Sequence, residues 1–368
     1  RKERMANNGA KANSIDASAE SVPDNSNSNE LDDCSYEKSE ESKAQLALLR
    51  AAHAAHDVDK MNEIVEAMIG KSLVHGLTKL HTACGYGLHE LVERYLTQEK
   101  LDANAVCSFN DLYSITPLHF CAGIGPDAIT PHRAQCVQLL VQKGGADVNR
   151  LTSRQDTALH WATKLADLAV CRQLVSVGVD LNKINLDNCT CAHGAAFYKN
   201  VDILAMLVDS RIDVTVKDIS GKNVLHLLCK DSLEDISGNA GDTASGATEP
   251  AHDTDQNREK SQKLVALVKR LLDELKMDPN EKDLSEFTPL MYACEHENLD
   301  LIQTLLDHKA DMNYTSSEGI NGMLLAIVNS CPKVVRKLLD SGFNLKTSGN
   351  SLNCSYITDA AYLNDLDI

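Results

Sequence analysis

The sequence predicts an all-α solenoid of stacked helix-turn-helix units with β-hairpin-like tips, about eight repeats behind an N-terminal cap. Three observations predict it. A six-residue phrase recurs along the chain, and its uninterrupted copies stand 33 residues apart, as from Thr157 to Thr190 and from Thr190 to Asn223. Each phrase is followed by a pair of small residues and then by aliphatic pairs at helical spacing, a periodicity that marks a repeated supersecondary unit.

The phrase reads Thr78-Lys-Leu-His-Thr-Ala83, Thr116-Pro-Leu-His-Phe-Cys121, Thr157-Ala-Leu-His-Trp-Ala162, Thr190-Cys-Ala-His-Gly-Ala195, Asn223-Val-Leu-His-Leu-Leu228 and Thr288-Pro-Leu-Met-Tyr-Ala293, with a weaker copy at Asn321. Two residues before it stand Gly76, Gly221 and Gly319, with Asn188 at the same place. These residues tolerate the positive φ of a tight turn, so a hairpin tip is expected there. The Thr hydroxyl then caps the first helix, and Pro fits its first turn because that turn has no use for the missing N–H. Small pairs such as Ala83-Cys84, Cys121-Ala122 and Ala293-Cys294 let neighbouring helices approach. The second helix follows as Leu91-Val92, Val170-Cys171, Ile203-Leu204, Leu301-Ile302 and Val334-Val335. Such a unit cannot bury its apolar surface alone, so the units must stack.

The longer intervals between copies are local. They arise from an approach strand around Ser108 to Ser114, extra residues around Gly125 to His132, and a polar stretch. That stretch, residues 231–260, is rich in Asp, Gly, Ala, Ser and Thr without apolar periodicity and reads as a disordered acidic insertion within a repeat. Residues 1–43 have the same character and are expected to be disordered. The repeat domain should run from 44 to 368. Residues 44–75 lack the phrase and read as an N-terminal capping repeat. Residues 350–368 begin a further copy that stops in the first turn of its second helix, which suggests a fragment of a longer protein.

The recurring Thr-Pro-Leu-His phrase and the closing Asp-Val-Asn149, Asp-Leu-Asn182 and Asp-Met-Asn313 resemble the ankyrin repeat, over most of the chain. The resemblance implies a protein-binding scaffold whose partner docks on the concave face, lined by hairpin tips and the ends of the first helices. Candidate contacts on that face are Leu112, Tyr113 and Ile115, then Arg154 and Asp156, then Phe197 and Tyr198, then Phe287, Glu295 and His296. Trp161 and Tyr292, which share one place in the phrase with Phe120, border the same groove. Exposed aromatic and arginine side chains are what interface hot spots use.

Composition narrows the function. The chain of 368 residues carries 36 basic and 53 acidic residues, a formal net charge of −17. That charge disfavours nucleic acid and anionic membranes and suits a partner with a basic surface. No apolar run approaches the ~20 residues of a membrane span, and the reading is an intracellular monomer, cytoplasmic or nuclear. The twelve cysteines recur partly at one repeat position and read as reduced, buried residues. His81, His119, His160, His193 and His226 share the fourth place of the phrase, where the ring can bond backbone between adjacent hairpins. Cys189, Cys191 and His193 have metal-like spacing, but repeat register accounts for them. No phosphate loop or nucleophile motif is present, so neither catalysis nor a cofactor is expected. The alternatives are the recognition region of a longer ubiquitin-ligase adaptor or multidomain enzyme, and an inhibitor of a transcription factor.

Overall fold

The computed structural model describes residues 40–70, 72, 74–109, 112–123, 132–230 and 254–344. The acidic N-terminal segment up to residue 39, most of the polar insertion and the copy expected at 350–368 lie outside these residues.

Each phrase opens a short helix, and a second helix returns beside it. The cap is α1 (Glu40–Ala54) and α2 (Val58–Gly70). The repeats follow as α3 (Lys79–Tyr86) with α4 (His89–Thr97), α5 (Pro117–Gly123) with α6 (Arg133–Gln142), and α7 (Ala158–Lys164) with α8 (Leu168–Ser176). Next come α9 (Cys191–Phe197) with α10 (Val201–Asp209), and α11 (Val224–Cys229) with α12 (Thr254–Asp273). The described array ends with α13 (Pro289–Glu295) and α14 (Leu299–Asp307), then α15 (Gly322–Val328) and α16 (Pro332–Asp340). First helices contact first helices, and second helices contact second helices, from one repeat to the next. The two strands, β1 (Cys107–Phe109) and β2 (Leu112–Ile115), pair antiparallel ahead of α5, where the sequence predicts an approach strand.

Two boundaries move. Helix α1 begins at Glu40, so residues 40–43 belong to the cap rather than to the segment expected to be disordered. Helix α12 begins at Thr254, so residues 254–260 are helical, not loop. A 20-residue helix rich in Lys, Arg, Asp and Glu escapes a search for apolar periodicity until Leu264, because the residues before it in sequence are polar. The helix fills the second-helix place of its repeat, contacting α10 and α14.

Local chemistry explains the repeated start. Thr78 accepts a hydrogen bond from the His81 amide at 3.4 Å, and the Thr78 amide donates back to His81 Nδ1 at 3.2 Å. This is a capping box with His in the place usually held by Glu or Gln. The same box recurs at Thr157, Thr190 and Asn223. Two residues ahead of the phrase, φ is positive in all seven repeats, at Gly76, Ser114, Gln155, Asn188, Gly221, Glu286 and Gly319. Glycine is required where the next tip comes close: a Cβ on Gly221 would lie 2.8 Å from the Leu284 backbone nitrogen.

The core is aliphatic and small. Leu91, Val92, Val170, Cys171, Leu204, Leu301, Ile302 and Val334 are fully buried. Cys84, Cys121 and Cys136 pack together in the interior, and all described cysteines are free. Burial pushes the Cys171 and Cys229 thiols up to about 12, which keeps them protonated and unreactive. Among the described residues, no helix is long and apolar enough to cross a membrane.

Candidate partner-binding edge

The hairpin tips form a hydrogen-bonded rail along one edge of the stack. Within a tip, Asp218 Oδ1 accepts the amides of Ser220 and Lys222, and Asp283 Oδ1 accepts those of Ser285 and Phe287. Asn185 does the same for Asp187 and Cys189. Between tips, the amides of Ser153, Leu186, Ile219 and Leu284 donate to the carbonyls of Tyr113, Arg154, Asp187 and Ser220, each at 3.0 Å. Backbone bonds that repeat in register hold the tips at fixed spacing.

Large apolar side chains stand on this rail in water. Tyr113 is 55% exposed, Leu186 56%, Ile219 53% and Leu284 76%. The last three occupy one place, four residues before the phrase. Sequence reasoning singled out Tyr113 but missed Leu186, Ile219 and Leu284. Aligning the repeats on their Thr or Asn would have shown an aliphatic residue recurring in a turn, where burial cannot explain it.

The other expected contacts divide. Leu112, Phe197, Tyr198, Phe287, Glu295 and His296 are half-buried and reach the surface. Phe197 and Tyr198 form an edge-on ring pair at 5.1 Å. Arg154 reaches Asp187 of the next tip at 3.1 Å. Ile115, Asp156, Trp161 and Tyr292 are buried, and the expectation that they face a partner is corrected. Ile115 turns inward as the last residue of β2. Asp156 accepts the Asn185 side-chain amide at 2.9 Å, tying one tip to the next. The Trp161 ring meets His119 of the preceding repeat edge-on at 5.3 Å, and Phe120 meets His81 at 5.0 Å in the same way. Tyr292 donates its hydroxyl to Asp283 at 2.6 Å. The aromatic place in the phrase therefore serves the contact between repeats.

The phrase histidines complete that contact. With Nδ1 accepting from the capping residue, Nε2 carries the proton and donates forward: His81 to the Ile115 carbonyl, His119 to Asp156, His160 to Cys189 and His226 to Glu281, at 3.0–3.3 Å. Burial lowers the pKa of all four rings and of His193, to about 4 for His81 and His119. The thiols of Cys189 and Cys191 point to different carbonyls, of Asp187 and Leu181.

A second histidine group joins the cap to the first two repeats. His53 lies in the last turn of α1 and His56 in the turn after it, His89 and Glu90 open α4, and His132 precedes α6. His89 and His132 are 4.7 Å apart between ring centres, His53 and His132 6.3 Å, and His56 Nδ1 lies 2.9 Å from Glu90. His53 Nε2, His89 Nδ1 and Glu90 Oε2 are buried without a hydrogen-bond partner. Among the described residues, no group of three or more His, Cys, Asp or Glu is arranged to hold a metal ion.

This geometry, a stack of capped helix pairs with a backbone-bonded tip edge, has relatives. A family model described as ankyrin repeats matches three copies within residues 127–218 and 260–348. The chain belongs to the ankyrin-repeat family. Its ankyrin repeats are 29% identical over 119 residues to a transient receptor potential cation channel subfamily A member 1 homolog of Caenorhabditis elegans, covering 32% of this chain and 9% of that protein. They are 26% identical over 210 residues to palmitoyltransferase AKR1 of Lachancea kluyveri, covering 56% of this chain and 24% of that enzyme. A putative ankyrin repeat protein of fowlpox virus, FPV222, is 34% identical over 93 residues, 25% of this chain and 12% of that protein. The chain thus spans a quarter or less of the length of these relatives. Among solved structures, the human ASB11 ankyrin repeat domain superposes with a TM-score of 0.49 at 19% identity, over 67% of this chain and 91% of that domain.

Proposed function

We propose that this chain is a protein-binding scaffold or adaptor, acting as a monomer, whose partner docks along the tip edge and the exposed ends of the first helices. The observation that carries the reading is the row of exposed apolar residues, Tyr113, Leu186, Ile219 and Leu284, held on a rail of backbone hydrogen bonds. Apolar surface that stands in water on a rigid support loses little entropy when covered. Ankyrin repeats are in general protein-interaction modules, which supports the same reading. Binding of this kind needs no cofactor and no catalytic step.

A photo-crosslinking experiment tests it. Benzoylphenylalanine placed at Tyr113, Leu186 or Ile219 is expected to capture a partner in cells, whereas the same probe at Lys269 on α12 captures none. Equal capture from both places overturns the assignment of the edge. A companion variant, Tyr113→Ala with Phe197→Ala and Tyr198→Ala, is expected to weaken the captured partner at least tenfold while circular dichroism stays unchanged.

A second reading makes the array the recognition region of a longer protein, such as a ubiquitin-ligase adaptor or a multidomain enzyme. Its support is that the matched repeats occupy 9% of the channel relative and 24% of the palmitoyltransferase. Both readings place the partner on the same edge. A net charge of −17 taken over the whole chain suits a partner with a basic surface, but the charge on the edge itself is distributed differently.

A further inference from the structure

We infer that the tip edge of the three repeats between Arg150 and Lys230 binds an acidic partner segment that carries aliphatic or aromatic side chains. This rests on the reading that the edge is the binding face. The inference comes from how charge is divided between the two sides of the same repeats. Residues 150–230 hold ten arginines and lysines, eight aspartates and no glutamate. Eight of the ten basic residues lie in the tips and first helices, stretches 150–165, 183–200 and 214–230, with three aspartates. The remaining five aspartates and two arginines lie at the N-cap of α8, in α8 and α10, and in the loops that follow them. Five of the eight, Arg150, Arg154, Lys183, Lys217 and Lys222, stand in the tips against three aspartates, while Lys164, Lys199 and Lys230 stand at the far ends of the first helices, where Lys199 bonds the Leu227 and Leu228 carbonyls. The tips of these repeats are therefore basic within a chain whose sum is strongly negative.

The three edge aspartates are committed to the fold. Asp156 is buried, Asp187 pairs with Arg154, and Asp218 Oδ1 accepts two backbone amides. Lys183 is exposed and lies 3.7 Å from Asp180 in a surface pair, and Lys217 and Lys222 are partly exposed. Lys217 pairs with Glu281, and the Lys222 ammonium sits 5.9 Å from the centre of the Tyr292 ring. A carboxylate arriving on a partner can join each of these cations without displacing a buried group. Between the lysines stand Leu186 and Ile219, more than half exposed. A segment of purely acidic character would leave them wet, so the fitting partner alternates acidic with apolar residues. For the same reason a polyphosphate chain is a poorer occupant, since it offers the two aliphatic side chains nothing to bury. The sum of −17 does not govern this contact, because at physiological salt charges beyond about 8 Å are screened.

The experiment uses the full chain and three fluorescent probes of equal length, followed by anisotropy. One peptide alternates Glu and Asp with Leu and Phe, a second replaces the acids by Lys and Arg, and the third probe is single-stranded DNA. The acidic peptide is expected to bind at least tenfold tighter than either other probe and to weaken as salt rises. Leu186→Ser with Ile219→Ser, and separately Lys183→Glu with Lys222→Glu, are each expected to cost it about tenfold. All four positions reach the surface, so circular dichroism should stay unchanged. Failure of the acidic peptide to bind, a basic peptide or DNA that binds as tightly, or an acidic affinity that neither variant moves overturns the inference. Crosslinking from position 186 separates the two readings. A basic peptide captured there leaves the edge as the binding face and removes only the acidic class of partner.

Discussion

Five buried histidines make the stability of this array depend on pH. Their rings are neutral in the fold and titrate below the ordinary value of about 6.5, to about 4 for His81 and His119. Below pH 6.5 the unfolded chain takes up protons that the folded chain refuses. Stability is therefore full above 6.5, falls as pH drops toward 4, and levels off once the folded rings also protonate. Between pH 7.5 and 5, His81 and His119 should each remove about 2 kcal/mol. Urea midpoints at the two pH values check this, and His119→Gln should shrink the difference. Gly123 makes the companion case for shape. A Cβ there would lie 2.3 Å from the Trp161 ring, which is itself buried between repeats. Gly123→Ala is expected to destabilise by roughly 1–3 kcal/mol, the usual cost of overfilling a packed site, read as a lower urea midpoint. In the sequence, the repeat position of the histidines announced their structural role. Which aromatic residues pointed inward was not legible, because a ring beside a capping histidine has the same composition whether it faces a groove or the next repeat.

At the scale of elements, each loop carries its own fastening. Asn104, Asn149, Asn182 and Asn280 accept, through Oδ1, the amide of the Asp at the equivalent place one repeat on, at 2.7–2.9 Å. Each Asp in turn accepts the amide two residues later, as Asp147 does for Asn149 and Asp180 for Asn182. The closing Asp-x-Asn of the sequence is therefore a chain of side-chain links between loops. Asn182→Ala leaves the Asp213 amide without this partner and should cost about 1 kcal/mol, seen as a small fall in thermal midpoint and as faster hydrogen exchange at Asp213. The recurrence of the motif was plain from the sequence, whereas its bonding partner lies 31 residues away and needed the stack to become visible. Helix α12 shows the limit in the other direction. Its first turns have no apolar residue before Leu264 in sequence, and the helix that contains them is anchored by the buried turns at Leu267, Val268 and Leu271. The cap histidines are a third case: four rings from α1, α4 and the approach to α6 converge only because those elements stack.

Over the whole array, stability is built from nearest-neighbour contacts, so interior damage should divide it. Leu204 in α10 is fully buried, and Leu204→Ala is expected to cost about 2–5 kcal/mol. The chain has a single tryptophan, Trp161, in the repeat just before, which reports one side of the break. In the variant, tryptophan fluorescence and far-ultraviolet circular dichroism should unfold at different urea concentrations. Coincident transitions in the variant would show one cooperative unit instead.

The sequence by itself determined the repeat length, the capping chemistry, the buried second-helix pairs and the family, because each rests on local periodicity that neighbouring residues enforce. Only the tertiary structure decided which side chains face water. Leu186, Ile219 and Leu284 lie in turns, far from any apolar run, and become a continuous edge only when the tips are bonded in register. Ile115, Trp161 and Tyr292 made the opposite journey: all three are buried, with the rings of Trp161 and Tyr292 against His119 and His226 of the preceding repeat. The charge between residues 150 and 230 follows the same rule: composition sums a chain, but the repeat order places eight of ten basic residues in the tips and first helices and five of eight aspartates around the second helices, and a partner meets only one side at a time.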